Sequence, residues 1–254
     1  MEGERVKSYL DLIPPEVGAR INRLLKANPT FAMIMDLPYE VQRDFVVVQM
    51  PYPDVLRFCA TSTEAKKICD DDYFWKLKIA HDFPENPAEG HEGRWRELYK
   101  TYWKETSEKL VECATKGHLK CVKSKLQLGV DPNFQTKHRD TALMRASEEG
   151  HLKVVQLLLK YGANPNIEDS FGETALIEAS SAGHTDIVQL LLEHGADPNF
   201  ETLHDWTAIN MASRYGRTDI VRLLLNAGAD PQGALYFASR HEHADIVALL
   251  SERS

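Results

Sequence analysis

The residue types able to do chemistry are present but scattered. Ten histidines and four cysteines are available as metal ligands. Cys59, Cys69, Cys113 and Cys121 lack the CxxC spacing of a structural zinc site. They read as reduced thiols filling small apolar gaps. His118, His151 and His184 each follow a glycine, a place where hydrogen bonding at a helix entry is the ordinary role. His241-Glu242-His243 offers two imidazoles without a third ligand visible in the sequence. Asp70-Asp71-Asp72 has the charge for a cation, but acidic residues at a helix start are favoured by the backbone dipole alone. No GxSxG elbow, glycine-rich phosphate loop or HExxH helix occurs. These residues predict no enzyme, no metal and no cofactor.

The elements around them are those of a soluble chain. Hydrophobic residues make up 43% and charged residues 27% of the 254 positions, enough apolar surface for about one or two domains. A net charge of −8 disfavours a general nucleic-acid binder, which needs basic surface to neutralise phosphates. Met1 to Leu12 alternates charged and apolar residues, so no secretory signal is expected. No apolar run approaches the roughly 20 residues needed to cross a bilayer. A monomer in the cytoplasm, and also in the nucleus, is expected.

From about residue 106 the sequence repeats. Gly117-His118, Gly150-His151, Gly183-His184 and Gly216-Arg217 are spaced by 33 residues. The same step relates Thr141, Thr174 and Thr207, then Gly129, Gly162, Gly195 and Gly228. It also relates Asp131-Pro132, Asn164-Pro165, Asp197-Pro198 and Asp230-Pro231. Within one period, Thr174 opens a short helix and Gly183 ends it with a residue that accepts positive φ. A second helix, Thr185 to His194, carries a wide apolar face. Asp197-Pro198-Asn199 then turns the chain into an extended finger. No single period buries its apolar face alone, whereas a stack does.

These residues resemble the ankyrin repeat, whose period is 33. The resemblance covers 106–254 and implies an all-α solenoid of about four to five repeats. The Thr-Pro-Leu-His of that family becomes Thr141-Ala-Leu-Met144, Thr174-Ala-Leu-Ile177 and Thr207-Ala-Ile-Asn210. Losing the proline and histidine is expected to loosen the helix entries and remove some bonds between repeats. The last repeat is shortened, Asp245-Ile246-Val247 following Asp219-Ile220-Val221 by only 26 residues, as a cap would require.

Residues 1–35 read as a helical lead-in stopped by Asn28-Pro29. Residues 36–83 carry Leu37-Pro38-Tyr39-Glu40-Val41, Phe45-Val46, Pro53-Asp54-Val55-Leu56 and Asp71-Asp72-Tyr73-Phe74-Trp75. Asp54 and Asp70 are plausible N-caps, and the surplus of large apolar side chains suggests a partner surface. This order resembles the F-box, a short helical bundle. The resemblance implies binding to a Skp-family adaptor, and through it to a cullin ligase core. By matching positions the adaptor contacts, or their supports, are Leu37, Pro38, Val41, Phe45, Val46, Leu56 and Ile68, with Trp75 closing the core. Ala65 stands where many members have tryptophan. Residues 84–105 are expected to be a loop followed by a helix from Arg94 to Thr106 that joins the modules. The order of modules is similar to F-box/ankyrin proteins of large DNA viruses.

Ankyrin stacks bind along the concave face and finger tips. The period places Lys137/His138, Ser170/Phe171 and Leu203/His204 at successive tips, and Trp206 where Asp140 and Glu173 stand earlier. Arg145, Glu178, Met211, Arg214, Tyr215, Phe237 and Arg240 fall at variable positions of the inner helices. Exposed aromatic and arginine side chains are common binding anchors, so Phe171, Leu203, His204, Trp206, Met211, Arg214 and Tyr215 are the expected target-binding set. The bland alternative is that Trp206 and Met211 pack between repeats. The function expected is substrate recognition for a Skp–cullin–F-box type ubiquitin ligase. The alternative is a binding or sequestering protein whose F-box-like region is a degenerate helical cap.

Overall fold

Helices account for all regular structure among the residues that the computed structural model describes, which are 50, 52–60, 63–83 and 94–252. In chain order they are α1 Tyr52–Cys59, α2 Thr63–Asp70, α3 Asp72–Asp82, α4 Trp95–Thr115, α5 Leu119–Gln127, α6 Ala142–Glu148, α7 Leu152–Lys160, α8 Ala175–Ala182, α9 Thr185–Glu193, α10 Ala208–Arg214, α11 Thr218–Asn226, α12 Ala234–Arg240 and α13 Ala244–Ser251. The chain divides into two units between Tyr102 and Trp103.

In the first unit the N-cap of α3 is Asp71, whose carboxylate accepts from the Tyr73 backbone N–H at 2.9 Å. Asp70, the expected cap, closes α2 instead. Phe74, Trp75 and Tyr99 are buried together, and the Trp75 indole donates to the Cys69 carbonyl at 2.8 Å. Inside this aromatic core lies an ion pair, Lys78 Nζ to Asp82 Oδ2 at 2.6 Å, with both side chains buried. The Tyr99 hydroxyl donates to the same oxygen at 2.5 Å. His81 Nδ1 lies 2.6 Å from the other oxygen. Burial lowers the Lys78 pKa, and Asp82 only partly restores it. Burial pushes Asp82 up, but the hydrogen bond with His81 and the charge of Lys78 outweigh it, so its carboxyl titrates below the usual range.

The expectation of reduced cysteines is corrected. Cys59 is bonded to Cys69, and Cys113 to Cys121. Their Cα separations, 5.9 and 6.0 Å, lie within the disulfide range. Spacing alone cannot show this, because consecutive helices bring the partners together. Helix α4 is also longer than expected. Leu110, Val111 and Ala114 continue its buried face, and no glycine or proline interrupts it before Gly117.

The second unit is two-layered. The inner helices α6, α8, α10 and α12 pack in succession, and behind them the outer helices α5, α7, α9, α11 and α13 do the same. Alanines at the inner contacts, among them Ala146, Ala179, Ala212 and Ala238, are fully buried and let the inner helices approach closely. The outer layer fills the core with Val154, Val155 and Leu158, then Ile187, Val188 and Leu191, then Ile220, Val221 and Leu224.

Two ladders stitch neighbours together. His151 and His184 of the Gly-His pairs, and His243 at the matching place after Glu242, bond across repeats rather than at their own helix entries. Nε2 of His151, His184 and His243 lies 2.9, 2.9 and 3.0 Å from the carbonyl oxygens of Thr115, Glu148 and Arg214. These carbonyls belong to the last turn of the preceding inner helix, or adjoin it. Gly150 shows why a glycine suits the position before His151: its φ is +76°, and a Cβ there would sit 2.5 Å from the ring of His184 in the next repeat. In the fingers, the Asn166 amide donates to the Gly195 carbonyl at 2.9 Å and accepts from the Asp197 N–H at 2.8 Å. Asn133 and Asn199 repeat this arrangement one period away on either side.

Entry caps survive at two of the three altered motifs. Thr141 accepts from the Met144 N–H at 3.2 Å, and Thr207 from the Asn210 N–H at 3.3 Å. The expected loss shows at Thr174 Oγ1 and Asn210 Oδ1, which are buried without a hydrogen-bond partner.

Candidate protein-binding site

Each finger folds back on itself at its tip. Thr136, Asp169 and Thr202 donate their backbone N–H groups to the carbonyls of Asp140, Glu173 and Trp206 at 3.0, 3.0 and 2.9 Å. The fourth residue of each turn takes positive φ: Arg139 at 65°, Gly172 at 79° and Asp205 at 59°. Neighbouring tips are joined. Ser170 N–H donates to the His138 carbonyl at 3.2 Å, and Leu203 N–H to the Phe171 carbonyl at 3.3 Å. The tip residues therefore form a continuous row, in which Phe171 is 65% and Leu203 71% exposed.

Behind the row, one pair of positions changes character along the stack. In the first full repeat it is Asp140 and Arg145, an ion pair at 2.5 Å. One period on it is Glu173 and Glu178, and one further Trp206 and Met211. Trp206 stacks on Phe237 with centroids 4.7 Å apart and planes 30° apart. The Arg214 guanidinium lies over the Trp206 ring at 5.1 Å and over Tyr215 at 5.6 Å. Phe171, Glu173, Thr202, His204, Trp206, Met211 and Arg214 line a groove of about 230 Å³.

The electrostatics follow from the changed pair. Arg145 also bonds Glu148 at 2.5 Å. Burial opposes its charge, but Asp140 and Glu148 raise its pKa, so it stays cationic and committed. Glu173 and Glu178 form no ion pair among the described residues. Burial, with the charges of Glu173, Glu148 and Asp169, pushes Glu178 up to about 7 against the weaker pull of Arg145. Burial, Asp169 and Glu148 also raise Glu173, which a hydrogen bond from Glu178 partly offsets. The crowding of these carboxyls makes it costly for both to be charged at once.

The structure thus brings Phe171, His204, Trp206, Met211 and Arg214 into one groove. Leu203 stands at the tip above it, and Tyr215 is reached through Arg214. Trp206 and Met211 are half-buried, so each both packs and faces the groove. The 33-residue step marks Glu173 and Glu178 as variable, but periodicity does not reveal that neither forms an ion pair among the described residues.

The family model of ankyrin repeats, in three copies, matches residues 110–202 and 197–254, more than half of the chain. The chain belongs to the ankyrin-repeat family. A comparison with curated protein sequences returns no match. Ankyrin repeats are protein-interaction scaffolds, and the tip row and groove lie in the matched region of this ankyrin array. The match does not extend to the F-box-like stretch. Of its expected contacts, Leu37, Pro38, Val41, Phe45 and Val46 lie outside the described residues. Leu56 is exposed, on a hollow shared with Lys66 and Arg96. Ile68, expected as a contact or a support, is fully buried in the helical core of this unit.

Proposed function

We propose that this ankyrin-repeat protein is a non-enzymatic adaptor that holds a target protein in the groove between Phe171 and Trp206. The observation that carries this reading is the convergence of exposed tip residues, a stacked tryptophan and an arginine on one concave surface. Such residues are the usual anchors of protein interfaces. For the N-terminal unit we propose a link to a Skp-family adaptor and a cullin ubiquitin-ligase core, supported by the F-box-like order of Leu37-Pro38, Asp54-Val55-Leu56 and Phe74-Trp75. The second reading, a binding or sequestering protein with no ligase link, is favoured by a family match confined to the repeats.

Calorimetric titration of the protein with the Skp-family adaptor, beside a Leu37→Ala/Pro38→Ala variant, separates the two. Submicromolar binding lost in the variant supports the ligase receptor. No binding by the folded wild type leaves the sequestering reading.

A further inference from the structure

We propose that the groove takes a partner segment in which an apolar side chain stands beside a lysine or arginine, the apolar group against Phe171 and Trp206 and the cation against Glu173, whose neighbour is Glu178. The proposal rests on the groove being the binding surface and names the chemistry of what enters it.

The apolar half follows from the aromatic wall. Phe237 supports one face of Trp206, and Met211 and the exposed Phe171 complete a surface that an aliphatic or aromatic group would cover. The cationic half follows from charge complementarity. Glu173 lines the groove and interacts with Glu178, and Glu148 and Asp169 add negative charge to both. The nearby cation, Arg145, is committed to Asp140 and Glu148. Arg214 lies over two aromatic rings and forms no ion pair with Glu173 among the described residues. Burial and the neighbouring carboxylates push Glu178 up to about 7, and an incoming ammonium or guanidinium group would favour its charged form. The acidity continues beyond the aromatic stack, where Phe237 and Tyr236 line a second hollow with Glu201, Asp205 and Asp230. An extended basic-apolar segment therefore meets acid on both sides of its apolar anchor. A bare metal ion is a poorer occupant, since no group of three or more suitable ligands converges among the described residues.

The test is selection of a random short-peptide phage library on full-length protein, with synthetic copies of the selected peptides titrated against wild type, E173Q/E178Q and W206A. Urea unfolding confirms that each variant is folded. Selected peptides should carry Lys or Arg beside an apolar residue and should lose affinity in W206A. In E173Q/E178Q they should weaken by about tenfold or more, the scale of a lost charge-assisted contact. Replacing the peptide's basic residue by glutamine should weaken wild-type binding similarly. Peptides that need Trp206 but carry no basic residue, or that bind E173Q/E178Q as well as wild type, overturn the proposal and leave the groove reading standing. Failure to select any Trp206-dependent peptide removes both. A concentration-dependent dimer abolished by W206A makes a second copy of the chain the occupant, and also overturns the proposal.

Discussion

Glu178→Gln should stabilise this protein by an amount that grows as pH rises above about 4.5 and levels off above about 7. The carboxyl is moved from an ordinary 4.5 to about 7, first by burial and then by Glu173, Glu148 and Asp169. The folded state therefore binds this proton more tightly than the unfolded chain. Between these two values the native state carries more protons, so stability falls as pH rises, and the penalty is complete above about 7. Each tenfold change in proton affinity is worth about 1.36 kcal/mol, which gives roughly 3 kcal/mol before solvent screening. Glu178 is only partly enclosed, and screening reduces the figure to about 1–2 kcal/mol. Glutamine keeps the shape and cannot ionise. Urea unfolding of wild type and variant at pH 5, 6, 7 and 8 should show nearly coincident midpoints at pH 5. By pH 8 the variant should be ahead by about 1–2 kcal/mol, within the range expected for relieving a screened surface repulsion. A gain of equal size at pH 5 and pH 8, or a loss at pH 8, would refute the reasoning, because neither outcome can come from an ionisation.

Other perturbations probe the packing. Asp82→Asn strips the buried Lys78 of its counter-ion and should cost about 3–5 kcal/mol in urea unfolding; a near-neutral result would exclude the pair as a buried charge unit. Asn166→Ala removes both bonds from one finger base to the next repeat and should lower stability by about 1–3 kcal/mol, read as a drop in thermal midpoint. Alkylation of denatured, unreduced protein should leave all four cysteines unmodified, as expected if both disulfides are formed. Opening the short Cys113–Cys121 loop alone by paired substitution to alanine should cost about 2.5 kcal/mol on chain-entropy grounds.

The solenoid was legible because its residues recur for one physical reason. Each period needs a small inner contact, a glycine that admits the next repeat's histidine, and an apolar outer stripe, so types and spacing repeat together. Most of the groove followed from the same register, since positions that vary within a fixed period are those that stacking does not use. What did not follow was pairing. Arg145 and Glu178 occupy equivalent positions, yet Arg145 holds two acidic partners, whereas Glu178 forms no ion pair among the described residues. That difference depends on the neighbours' side chains rather than on the period. The disulfides are hidden in the same way: Cys113 and Cys121 are brought together by the reversal at Gly117, which their spacing does not express. The aromatic run to Trp103 does not mark the end of α4, because Leu110 and Ala114 continue the same buried face.

The asparagine and histidine ladders connect each repeat only to its neighbours, so cohesion in the array is local. Opening one joint between neighbours therefore leaves the others closed. The Trp206–Phe237 stack crosses the joint between α10 and α12. An occupant seated against it would act as a latch on that joint, whose closure would report that the groove is filled.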